Sequence, residues 1–174
     1  MVIWLIGLSG AGKTTIGRQL YRRMKEADNA TVLVDGDEIR AMFRHDIDTD
    51  AHTLEGRRIN AERIRELCLW LDRQNINVVC CILSVFRESS DWNRQHYSRY
   101  FEVYVDAPMS VLEDRSTKDL YRKAKAGEIR NVVGVDIEWQ PPLSPDLVIH
   151  NGDGQIEPRQ AADLILSRMA GARD

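Results

Sequence analysis

The chain has 174 residues, 43% of them hydrophobic and 29% charged, with a net charge of −3. That composition predicts a single globular domain over 1–174, burying about 70% of its unfolded surface. It argues against a general nucleic-acid or membrane binder, since no basic excess exists and no apolar run reaches the length of a membrane span. The N-terminus enters a strand-like run at once, leaving no room for a signal peptide. The three cysteines, Cys68, Cys80 and Cys81, lack zinc spacing and read as buried thiols in a reducing, cytoplasmic setting.

In chain order, Val2-Ile3-Trp4-Leu5-Ile6 has the length and β-branched content of a strand. Gly7-Leu8-Ser9-Gly10-Ala11-Gly12-Lys13-Thr14 follows and fits G-x-x-x-x-G-K-[ST], the phosphate-binding loop. A helix over about 13–27 comes next, with Ile16, Leu20 and Met24 on one face. Strand, glycine loop and helix in that order aim successive N–H groups and a helix N-terminus at phosphate oxygens. Lys13 is placed to reach the β- and γ-phosphates, and the Thr14 hydroxyl to ligate Mg²⁺. The expected ATP-binding set is Gly7, Ser9, Gly10, Ala11, Gly12, Lys13, Thr14 and Thr15, with Arg115 from a later basic segment.

Thr31 to Val34 reads as the second strand, ending in Asp35-Gly36-Asp37, from which a short helix runs to about 43. The polar stretch 44–53 reads as a loop, and 54–74 as a long helix whose core face includes Ile64, Leu67 and Leu71. Asn77 to Leu83 is a continuous apolar run that suits a central parallel strand. A loop over Ser84 to Arg87, a helix over 90–99 and a strand over 101–105 follow, then a helix over 109–115. The last strand is 147–149 and the closing helix 157–170. Alternating strands and helices predict an α/β fold with a parallel sheet covered on both sides. Ligands then bind beyond the carboxyl ends of the strands.

A phosphate-loop enzyme needs a carboxylate near Mg²⁺ and a group that orients or deprotonates the nucleophile. No acid follows Ile82-Leu83, and no N-K-x-D run for guanine exists, which weakens motor and GTPase readings. The acids are Asp35 and Asp37: Asp35 with Thr14 is the expected metal pair, and Lys13, Asp35 and Asp37 the expected catalytic set. Spacing alone leaves open which acid meets the metal and which takes the acceptor proton, and Asp37 also suits helix capping. Arg40, Arg57, Arg58, Asn60 and Arg63 concentrate nearby, where arginine forks match phosphate or sulfate oxygens. The segment Arg115 to Arg130 holds six Lys and Arg against two acids. It reads as a lid over about 115–134 that excludes water and supplies cations, or else as a solvated amphipathic surface. The four histidines show no metal spacing, and Trp139 reads as a packing residue.

These residues resemble the adenylylsulfate (APS) kinases. The phosphate loop, Asp35-Gly36-Asp37-Glu38-Ile39-Arg40, the stretch Phe101 to Pro108 and the lid sequence Lys118 to Ile129 carry the resemblance. It implies a three-layer P-loop nucleoside-kinase-like fold, and Mg·ATP-dependent transfer of phosphate to the 3′-hydroxyl of a nucleotide. It also implies a homodimer. By position, Arg40, Arg57, Asn60 and Lys118 match family residues that hold the acceptor, together with Asp37, and Ser84 matches a loop that lies along it.

The departures fall on the acceptor side. The family's Phe-Thr-Gly, whose ring stacks on adenine, reads Val132-Val133-Gly134, and its Lys-Gly-Leu-Tyr reads Lys118-Asp119-Leu120-Tyr121. A lost stack is worth about 1–3 kcal/mol, or roughly 10- to 100-fold in affinity. A related branch of the family is similar but phosphorylates cytidine diphosphoramidate, and a smaller pocket at Val132 would suit a pyrimidine. The acceptor is therefore expected to be APS, with Phe86 or Trp139 replacing the ring, or a cytidine diphosphate derivative. A small-metabolite kinase on the same fold and an ATP-binding regulatory domain are the other readings.

Overall fold

The computed structural model describes residues 1–44, 50–115, 119–152, 154 and 156–171. Lys118 and His45 lie outside the described residues, as do parts of the 44–53 loop and of the basic segment.

Five parallel strands form one sheet in the order β2-β3-β1-β4-β5. They are β1 (Val2–Ile6), β2 (Thr31–Asp35), β3 (Asn77–Ile82), β4 (Tyr100–Asp106) and β5 (Leu147–His150). β1 is buried throughout and sits between β3 and β4, with Ile3 opposite Val79 on one side and Phe101 on the other. Alternate side chains then enter two separate cores, as a pleated strand requires. One core packs Ile3, Leu5, Val79, Val103 and Val105 against α1 (Lys13–Ala27) and α7 (Pro158–Gly171). The other packs Val2, Trp4, Val78 and Cys80 against Ile39 of α2 (Gly36–Met42) and Ile64, Cys68 and Leu69 of α3 (Leu54–Asp72). The expected three-layer α/β arrangement is the one observed.

Close packing explains several local choices. A Cβ on Gly17 would lie 2.2 Å from the Cys81 sulfur, so only glycine lets α1 approach the sheet this closely. The Thr53 side chain accepts from Gly56 N at 3.1 Å and caps α3. The helix expected over 90–99 is α4 (Glu88–His96), and it stops before Ser98. Asp72 captures both Ser98 N (2.6 Å) and Ser98 Oγ (2.7 Å), which turns the chain into β4. α5 (Met109–Arg115) and α6 (Leu120–Lys125) complete the set. The carboxyl ends of all five strands meet at one edge, bringing together Gly7, Asp35, Ser84, Asp106 and Asn151. No helix among the described residues is long and apolar enough to cross a membrane.

Candidate active site

The phosphate loop leaves β1 with Gly10 at φ +81° and Gly12 at φ +99°, conformations that favour glycine. Ala11 N donates to Leu8 O at 3.2 Å, and the hydroxyl of Tyr121 on α6 donates to Ser9 O at 2.7 Å. Tyr121 is therefore buried against the loop and belongs to no solvated stripe. Lys13 Nζ donates to Leu8 O at 2.7 Å. Burial pulls its ammonium down to about 8, against the raising influence of Cys81, Asp37 and Asp35. Thr14 is half-buried and Thr15 exposed.

Thr14 Oγ1 donates to Asp35 Oδ2 at 2.7 Å, and Asp35 Oδ1 accepts from Asp37 N at 3.0 Å. The residue that caps α2 is thus Asp35, not Asp37. Asp35 ends β2 in extended conformation, so its carboxylate lies over the first helical N–H groups. Asp37, the second residue of the helix, points outward with 90% of its side chain exposed. Arg40 Nη1 donates to its Oδ1 at 2.7 Å. Arg40 is only 12% exposed, and its Nε is buried with no hydrogen-bond partner among the described residues. The adjoining hydroxyl of Thr14 and carboxylate of Asp35 are hard oxygen donors, the kind Mg²⁺ takes one or two at a time alongside phosphate and water. No group of three or more His, Cys, Asp or Glu among the described residues could hold a metal alone.

α3 presents the neighbouring wall. Arg57 Nε donates to His52 O (3.0 Å) and its Nη2 to Asn131 O (2.9 Å), linking α3 to the stretch after the basic segment. Burial, then the charge of Arg40, holds Arg57 below the usual guanidinium range. Asn60 is 2% exposed; its Nδ2 donates to Gly36 O at 3.3 Å, and its Oδ1 has no partner among the described residues. Ser84 is buried, and its Oγ accepts from Phe86 N at 3.3 Å. Arg58 covers the Phe86 ring at 4.5 Å. Val132 is 5% exposed and part of the core. Asp136 takes the backbone N–H groups of Asn131 and Val132, each at 2.6 Å, bonds that outweigh its slight burial and lower its carboxyl. Trp139 packs 6.4 Å from Tyr104 and lines a recess of about 370 Å³ with Leu8, Met109, Gly134 and Ile137.

The structure therefore brings Lys13, Thr14, Asp35, Asp37, Arg40, Arg57 and Asn60 to one edge. Arg115 holds the turn after β5, which itself touches the phosphate loop through Asn151: its Nη1 donates to Asn151 O (2.8 Å) and its Nη2 to Gly152 O (3.0 Å). Sequence reasoning passed over Asp136, Asn151 and the anchoring hydroxyl of Tyr121. Asp136 sits five residues after Asn131, a turn-like spacing that a search for Asp-closed loops would find. Asn151 lies 140 residues from its partner Ala11, and nothing local marks it.

The family model for adenylylsulphate kinase matches residues 1–150. A cytidine diphosphoramidate kinase of Campylobacter jejuni is 38% identical over 170 residues, 97% of this chain and 96% of that protein. An adenylyl-sulfate kinase of Halothermothrix orenii is 36% identical over 157 residues, 90% of this chain and 83% of that protein. The solved APS kinase CysC of Mycobacterium tuberculosis, in complex with AMPPNP and APS, superposes with a TM-score of 0.82 at 27% identity. That alignment covers 97% of this chain and 96% of that one. A phosphate loop backed by a carboxylate-capped second helix, with these relatives along nearly its whole length, places the chain in the adenylylsulphate kinase family: it is a kinase that acts on a hydroxyl group.

Proposed function

We propose that the chain transfers the γ-phosphate of ATP to the 3′-hydroxyl of a nucleotide, and that the acceptor is a cytidine diphosphate derivative of the kind its Campylobacter relative is named for. One observation carries the choice of acceptor. Position 132 holds a small aliphatic side chain buried in the core, and the two rings that could replace a stacking partner are engaged. Phe86 lies under Arg58, and Trp139 lies against Tyr104. A pyrimidine needs less stacking area than adenine, so a site without a free ring suits it.

The phosphate loop and Lys13 bind the triphosphate, and Lys13 offsets charge on the transferring group. Thr14 and Asp35 would hold Mg²⁺, which would supply further charge neutralisation. Asp35 is buried and already accepts two hydrogen bonds, which suits holding a metal rather than moving a proton. Asp37 is exposed and within reach of Arg40, so it takes the proton of the attacking hydroxyl. Arg40, Arg57, Asn60, Ser84 and Lys118 bind the acceptor's anionic and sugar groups. The segment about 115–134 closes as a lid over a single domain, and the chain works as a homodimer.

The test incubates purified protein with Mg·ATP and either cytidine diphosphoramidate or APS, following ADP release and product mass. One added phosphate on the cytidine compound alone supports the assignment. Phosphate on APS alone overturns the acceptor while keeping the reaction. Transfer only to sugars or other small metabolites overturns the nucleotide reading. Tight ATP binding without transfer to any of these restores the regulatory reading.

A further inference from the structure

Asn151 stands at a crossing that none of the assigned roles uses. It follows β5 and is 7% exposed. Its backbone N donates to Asp106 O at 2.6 Å, which extends the β4–β5 pairing to the edge where the phosphate loop begins. Its backbone O accepts from Arg115 Nη1 at 2.8 Å. Its side-chain Nδ2 donates to Ala11 O at 2.8 Å, inside the phosphate loop. A Cβ on Gly12 would lie 2.6 Å from the same Nδ2, so the amide rests directly on the Gly12 α-carbon.

The peptide that joins Ala11 to Gly12 is planar and trans, so its C=O and N–H point in opposite directions. A donor that fixes Ala11 O from behind therefore aims Gly12 N–H away from Asn151, towards the concavity where loop N–H groups meet phosphate. Gly12 at φ +99° has little steric resistance to rotation of that peptide, so an outside tether matters here more than at a residue with a side chain. The amide is oriented with nitrogen towards Ala11, because an oxygen there would face a carbonyl oxygen. Its Oδ1 is left buried without a partner among the described residues. An unpaired buried acceptor is unfavourable, and an aliphatic side chain would avoid it. The bond to Ala11 is what an aliphatic residue could not supply.

We propose that Asn151 is a positioning residue of the phosphate loop, holding the Ala11–Gly12 peptide so that Gly12 N–H faces the nucleotide phosphates, and joining that loop to Arg115 through one turn. The inference rests on the ATP reading of the phosphate loop and is independent of the acceptor.

The test compares wild type with Asn151→Ala and Asn151→Asp. Binding of Mg·ATP and of magnesium tripolyphosphate, which has no base or sugar, is measured by calorimetry; KM for each substrate and Tm are measured alongside. Loss of one net hydrogen bond predicts about 3- to 10-fold weaker binding of both ligands by Asn151→Ala. Asn151→Asp, nearly the same shape but without the donor, is expected to lose at least as much. KM for the acceptor stays within about twofold of wild type, a split that simple destabilisation would not produce. Unchanged tripolyphosphate and ATP affinity in both variants would overturn the inference, as would equal rises in both KM values. If wild type itself failed to bind either ligand, the phosphate-loop reading would fall and this inference with it.

Discussion

Lys13 gives a quantitative prediction about pH. Its ammonium, at about 8 in the free protein, is about nine-tenths protonated at pH 7. Bound triphosphate favours the charged form, so above pH 8 binding must take up a proton. The affinity for a non-hydrolysable ATP analogue is then expected to fall about tenfold between pH 7 and pH 9 at saturating Mg²⁺. Calorimetry in two buffers of different ionisation enthalpy should show about half a proton taken up per ligand at pH 8. Lys13→Met should bind weakly and without this slope. The sign for stability is opposite. The lysine titrates at 10.5 unfolded and about 8 folded, so the folded state resists its charge. Stability without ligand is lowest below pH 8 and recovers as pH rises from about 8 to 10.5. At pH 7 the charge opposes folding by at most about 3 kcal/mol, and Lys13→Met should melt higher, less whatever the bond to Leu8 O contributes. A wild-type affinity constant within twofold between pH 7 and 9 would refute the reasoning, as would an equal slope in Lys13→Met.

Three further substitutions separate the assigned roles. Asp37→Ala should lower kcat by about 10²- to 10⁴-fold while leaving ATP binding largely intact, measured by turnover and calorimetry together; turnover near wild type would remove Asp37 as the base. Asp35→Asn keeps an acceptor for Asp37 N but loses the charge beside Thr14. It should raise the Mg²⁺ concentration for half-maximal rate by about tenfold or more, and an unchanged Mg²⁺ titration would contradict the metal assignment. Val132→Phe inserts a ring into a filled core and should destabilise by about 1–3 kcal/mol, read as a Tm drop, without creating APS turnover. A stable variant that gains APS turnover would show instead that position 132 faces the acceptor.

The phosphate loop was legible because its chemistry is local. Three glycines, Lys13 and Thr14 act within one turn of backbone, and the flanking strand and helix announce themselves by periodicity. The Asp35-Gly36-Asp37 pair was legible as acids at a strand end, but not the division between them. Whether a carboxylate caps the helix or faces solvent depends on where β2 stops, and a two-residue difference would make Asp37 the cap instead. Strand order, likewise, was implied only as parallel.

What the sequence by itself determined is the set of elements, their alternation and the phosphate chemistry, because each follows from side-chain period and from groups a few residues apart. What only the tertiary structure decided is which distant groups share a bond: Asn151 with Ala11, Tyr121 with Ser9, Arg57 with Asn131. Those contacts arise from the order in which β4 and β5 add to the sheet and from the path of the chain after α6. A hydrogen bond between residues seventy or more positions apart leaves no pattern along the chain, since the donor alone is an ordinary polar side chain and the acceptor an ordinary backbone carbonyl.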